Sequence, residues 1–147
     1  FQAEDGIRDF CLSRGLGDVY KRQSLEILAN SSNFNGIIIP TIDARRDEVY
    51  SSAFFQSNMI SKEKPEIIVS ESFIKYLKNN NIIIVGNGQF KCEKIIKKHK
   101  KIFFDKNIIN PSSKYMPELS YRKFINNEFE DLAYFEPTYL KEFKTNL

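Results

Sequence analysis

Two carboxylates and a guanidinium lie close together in Ile42-Asp43-Ala44-Arg45-Arg46-Asp47-Glu48-Val49-Tyr50, the most distinctive segment of the chain. Asp43 and Glu48 could bind a divalent metal, or one of them could pair with Arg45. A polar turn fixed by a carboxylate-arginine pair is the favoured reading, because it needs no further groups. A metal-dependent hydrolase using Asp43 and Glu48 needs several carboxylates converging from separate elements, and a single Asp-x-x-x-x-Glu pair does not provide that convergence. Tyr50 reads as a cross-strand packing residue and not as a proton donor.

Other chemistry-bearing residues are few. The run Lys94 to Lys101 could contact RNA phosphates, which makes a basic RNA-binding module the alternative function, but a solvated helix face is the plainer reading. His99 is the one histidine; it stands among lysines with no nucleophile placed beside it by any motif. Cys92 follows the Gly86-Asn87-Gly88 turn and reads as a small buried apolar residue, not a nucleophile. Cys11 and Cys92 lack the spacing of a redox pair and are too few for a zinc site or a disulfide framework. Gly86 and Gly88 could let backbone approach a phosphate, yet a strand-to-helix turn calls for glycine in any case.

These residues need elements to hold them, and 147 residues suffice for one domain with a packed core. Ser24 to Ala29 reads as the end of a helix reaching about Asn30. Gly36 to Asp43 is a β-branched run that predicts a buried strand, although Pro40 removes one donor. Ala44 to Asp47 forms a turn, and Glu48 to Phe55 alternates as a second strand, so the two make an antiparallel hairpin. Asn58 to Pro65 is polar and reads as a loop, with a short strand over Glu66 to Val69. A helix is expected from Ser70 through Leu77, and Ile82 to Val85 has the composition of a buried central strand. A helix over Phe90 to His99 would turn Ile95 and Ile96 to the sheet and its lysines to water. Ile102 to Phe104 reads as another strand, Glu118 to Asn126 as another helix, and Tyr134 to Leu140 as a packed, extended arm. The fold class is therefore α/β, a mixed sheet with flanking helices.

With 22 basic and 19 acidic residues the net charge is +3, too small to define a partner. No stretch approaches the roughly 18 apolar residues of a membrane span. The start does not read as a secretory signal, which points to the cytoplasm.

Residues 1–23 stand apart. Gln2 to Asp9 and Ser13 to Gln23 resemble translated sequencing-library adapters, with Phe10-Cys11-Leu12 where a sample barcode would lie. They are expected to be an artefact and not natural protein, which also disposes of the phosphate-loop look of Gly15 to Lys21.

The remainder resembles the TsaB (YeaZ) family. Asp43-Ala44-Arg45 followed by Glu48-Val49-Tyr50 matches that family's hairpin, Val85-Gly86-Asn87-Gly88 its later strand and turn, and Glu136-Pro137-Thr138-Tyr139-Leu140 its terminal motif. The helix from Ser24 resembles the stretch just before the hairpin, so the order agrees across residues 24 to 143. The resemblance implies a ribonuclease-H-like domain of the actin-like ATPase superfamily, with 24–147 as the C-terminal domain, 24–32 a remnant of the preceding helix, and the N-terminal domain missing. It further implies a noncatalytic accessory subunit, not an enzyme, for threonylcarbamoyl transfer to the adenosine next to the anticodon of tRNA. The partners implied are a catalytic TsaD-like paralogue and a TsaE-like ATPase, with a homodimer as another option, tRNA contacted indirectly and no membrane. No intrinsic cofactor is implied, and ATP and metal are expected on the partner subunits.

Overall fold

The computed structural model describes residues 17–78 and 80–128, with side chains from residue 24 onward. Five strands form one sheet: β1 (Ile37–Asp43), β2 (Glu48–Phe55), β3 (Asn58–Ile67), β4 (Ile82–Val85) and β5 (Ile102–Phe104), in the order β3-β2-β1-β4-β5. The first three make an antiparallel meander. β4 then pairs parallel to β1 on its other edge, and β5 parallel to β4. This is the mixed α/β sheet that the alternation of strand and helix patterns predicts.

Both faces of the sheet are covered, and the strands show it in their composition. On one face Ile37, Ile39, Val49, Ala53, Ile82 and Ile84 pack with Phe73, Leu77, Cys92 and Ile96. On the other, Ile38, Phe54 and Val85 pack with Leu28 and Ala29. Successive side chains on a strand point to opposite faces, so covering both faces requires the near-continuous isoleucine runs of β1 and β4. Ile39, Ile82 and Ile84 are wholly excluded from water, and each such side chain stabilises the fold by about 1.5–3 kcal/mol relative to exposure.

The helices are α1 (Gly17–Asn30), α2 (Gln89–Ile95) and α3 (Met116–Ile125). α1 buries Leu25, Leu28 and Ala29, the helical spacing of a face pressed on a sheet. It begins seven residues before Ser24, so its first turns fall in the segment read as adapter-derived. Lys123 of α3 approaches Glu26 of α1 at 3.8 Å.

Pro40 lies in an interior strand, where a missing donor is costly. The β1–β2 register is uninterrupted on either side, from Ile38 opposite Phe54 to Thr41 opposite Ser51, but no pairs form at Ile39 and Pro40. Along β4, Pro40 sits at the last pair, opposite Val85. There the Thr41 hydroxyl donates to the Val85 carbonyl at 2.8 Å, a further tie between β1 and β4. Ser52 Oγ, which the register places across from Pro40, is buried with no partner among the described residues.

Several expectations are corrected. Asn58 to Pro65 is not a loop. It belongs to β3, a ten-residue edge strand that continues to Ile67 and takes in the first half of the short strand expected over Glu66 to Val69, whose other half, Ile68 and Val69, is not strand. Its side chains are mostly exposed, so no apolar alternation marks it, and an edge is where a proline such as Pro65 is tolerated. Gln56 and Ser57, both at positive φ (48° and 63°), form the two-residue hairpin turn that feeds it. The helix expected over Ser70 to Leu77 is only a turn and a single 3-10 segment at Ile74–Tyr76, because Phe73 at φ 67° takes the chain out of helical geometry. The helix expected over Phe90 to His99 ends at Ile95, with Ile96 extended at ψ 132°, which releases Ile96 into the core. The expected terminal arm, Tyr134 to Leu140, lies outside the described residues.

Candidate functional site

The signature residues gather at one end of the sheet, where β1 and β4 both finish. Asp43, the last residue of β1, uses Oδ1 to accept the Arg45 backbone N–H and the Lys91 ammonium, each at 2.8 Å. Its own N–H donates to Asn87 Oδ1 at 2.9 Å. Lys91 also donates to the Glu48 carbonyl at 2.9 Å, so one ammonium clamps both ends of the β1–β2 turn onto α2. The Lys91 hydrogen bond is the main reason the Asp43 carboxyl is held below the usual carboxylate range, partly opposed by burial.

Inside this clamp the turn is tight. Ala44 N–H donates to the Glu48 carbonyl at 3.1 Å, and Arg45 and Arg46 take positive φ values of 64° and 49°. Side chains with a Cβ enter that region at a cost, so the surrounding bonds must hold them there. The expected carboxylate-arginine pair is corrected: Arg45 offers Asp43 its backbone N–H, and the ion pair is with Lys91. Val49 and Tyr50 are buried, Tyr50 opposite Ile42 on one side and Pro65 on the other, which is the packing role expected of it.

The Gly86-Asn87-Gly88 turn completes the junction. Gly86 has φ +92°, and a Cβ there would stand 2.1 Å from the Thr41 carbonyl oxygen. Its N–H donates to the Ile108 carbonyl at 2.8 Å, and the Gly88 N–H to the Thr41 carbonyl at 3.2 Å. Both glycines therefore serve close approach of the turn to β1.

This arrangement is a strut between hairpin and helix. A cation seeking Asp43 would have to displace the Lys91 ammonium, and among the described residues no group of three or more His, Cys, Asp or Glu side chains is placed to hold a metal ion. Cys92 is buried, and burial pushes its thiol up to about 12, which removes it as a nucleophile near neutral pH. His99 Nδ1 accepts the Lys101 N–H at 3.1 Å in the turn before β5.

Lys91 and Asn87 were missed from sequence. They meet Asp43 across 48 and 44 residues, and a lysine among six others in the run from Lys91 to Lys106 carries no local sign of such a role. Glu136, Pro137 and Tyr139 lie outside the described residues.

No family model matches the sequence, and no curated protein does. Solved structures do. One is an uncharacterized protein with similarity to peptidase YeaZ from Pseudomonas aeruginosa; it superposes with a TM-score of 0.62 at 19% identity, over 80% of this chain and 56% of that one. A second, YeaZ from Pseudomonas aeruginosa, gives 0.52 at 19% identity, over 71% of this chain and 51% of that one. The fold is thus YeaZ-like, of the ribonuclease-H-like, actin-like type, and the chain spans about half the length of these structures.

Proposed function

We propose that this chain acts as a noncatalytic accessory subunit in threonylcarbamoyl transfer to tRNA, with residues 24–147 corresponding to the C-terminal domain of a TsaB-like protein in the cytoplasm. The observation that carries this reading is the junction itself. Within a YeaZ-like fold, the residues that resemble the family's hairpin are engaged in holding β1, β2 and α2 together, with Asp43 bound to Lys91, Arg45 and Asn87. A strut maintains a shape, and shape is what an accessory subunit offers a partner. The partners proposed are a catalytic TsaD-like paralogue and a TsaE-like ATPase, which would bring the ATP and metal.

The test is a pull-down of residues 24–147, with and without a restored preceding domain, against the catalytic threonylcarbamoyl-transfer subunit, followed by an assay of tRNA modification. Capture and activity that depend on the restored domain support the proposal. A well-folded restored protein that neither binds nor supports modification overturns it.

A further inference from the structure

Two segments far apart in sequence meet beside α2. The Lys97 N–H donates to the Ser70 carbonyl at 3.1 Å, and Phe73 and Leu77 share a core with Ile96, with Tyr76 and Ile95 packed against it. This contact places residues 70–78 alongside residues 93–101. Lys75, Lys78, Lys94, Lys97, Lys98, Lys100 and Lys101 are all exposed there, and Glu71 and Glu93 are the only acidic residues in the two segments. The two segments carry net +5 of a chain whose total is +3, so the rest of the molecule is slightly acidic.

The lysines are not spent on the fold. The ion pairs among the described residues are made by Lys64, Lys91, Lys106 and Lys123, and Glu93 is already held by Lys106 at 3.0 Å. Lys75 lies 4.8 Å over the Tyr76 ring, which fixes one ammonium at the edge of the cluster. Because α2 stops at Ile95, Lys97 to Lys101 are carried by a connection and not by the solvated helix face expected from sequence. Unpaired ammonium groups on adjoining segments repel one another, and a partner with regularly spaced negative charge relieves that repulsion while releasing its own counterions.

We infer that this two-segment lysine surface binds the phosphate backbone of a structured RNA. Choosing RNA among polyanions rests on the proposed function; the surface does not. A membrane is disfavoured because basic membrane anchors use an amphipathic helix with an apolar face, whereas these lysines sit on a 3-10 turn, a seven-residue helix and a connection.

The test measures binding of a fluorescently labelled tRNA transcript to the full chain by anisotropy at 50 and 200 mM salt. With about four phosphates engaged, affinity falls on the order of 100-fold between the two. Two variants, Lys97→Ala/Lys98→Ala/Lys100→Ala/Lys101→Ala and Lys75→Ala/Lys78→Ala, are expected each to weaken binding at 50 mM and to flatten the salt dependence, with circular dichroism unchanged. No binding at 50 mM, variants that bind like the parent, or tighter binding to phosphatidylserine vesicles than to tRNA would each overturn the inference. No catalytic subunit is present, so failure here is distinct from failure of the pull-down.

Discussion

Replacing Gly86 by alanine tests whether the junction is held by close approach. At φ +92° any Cβ is strained, which alone costs about 1–2 kcal/mol. The added carbon would also stand 2.1 Å from the Thr41 carbonyl oxygen and 3.0 Å from Leu28 Cδ1, so turn and strand must part by roughly 1 Å to reach an ordinary carbon-oxygen contact. Three bonds resist that movement: Gly86 N–H to Ile108, Gly88 N–H to Thr41, and the Thr41 hydroxyl to Val85. Leaving one or two of these groups buried and unpaired costs about 1–3 kcal/mol each. The expected loss is therefore about 4 kcal/mol, a large share of the roughly 5–15 kcal/mol that holds a domain folded. Gly88→Ala is the control. Its backbone angle is ordinary and its Cβ would meet the Thr41 side chain at 2.9 Å, an overpacking worth about 1–3 kcal/mol. Urea unfolding followed by circular dichroism, with equal denaturant slopes, gives both values. A loss below about 1 kcal/mol for Gly86→Ala, or one no larger than for Gly88→Ala, refutes the reasoning.

Two further outcomes are expected. Because Lys91 lowers the Asp43 pKa in the folded chain, that pair's contribution is present above the unfolded carboxyl value and disappears as pH falls through the folded one. The Asp43 side chain is 49% exposed, so solvent screening holds the pH-dependent part below about 1 kcal/mol. Parent and Lys91→Met should therefore differ more at pH 7 than at pH 2, and an equal difference at both would contradict the assignment. In a Cys11→Ser chain, Cys92 should resist an aromatic disulfide reagent at pH 8 until urea unfolds the protein, since it is buried with its thiol at about 12; labelling within seconds of mixing would show that it is accessible.

The sheet was legible where burial on both faces forces a composition. Ile37 to Ile39 and Ile82 to Val85 announce themselves because nothing polar can stand there, and the Arg45-Arg46-Asp47 turn separates the first of these runs from the alternating one at Glu48 to Phe55. β3 was illegible for the opposite reason: an exposed edge strand has no apolar face, and its pairing is set by β2 and by the Gln56-Ser57 turn. The segment at Ser70 has helix-start residues, but Phe73 and Leu77 are pulled into the core, and tertiary packing overrides local preference. At the junction, Asp43 and the two glycines were visible as types worth noting. Lys91 was not, because its partner is chosen by the crossing of β1 and α2, which no local spacing encodes.

The parallel pairing of β1 with β4 also bears on synthesis. β1 to β3 form a local meander complete once residue 67 is made, whereas the second edge of β1 has no partner until residues 82–85 exist. During that interval the central isoleucine strand is itself an edge, the kind of surface on which other chains can template. Ile37 donates on that edge, to the Asn81 carbonyl, and strand alternation turns Pro40 the other way, toward β2. The proline's gap therefore falls on the side β2 has already covered, and the waiting edge keeps its full row of donors until β4 arrives.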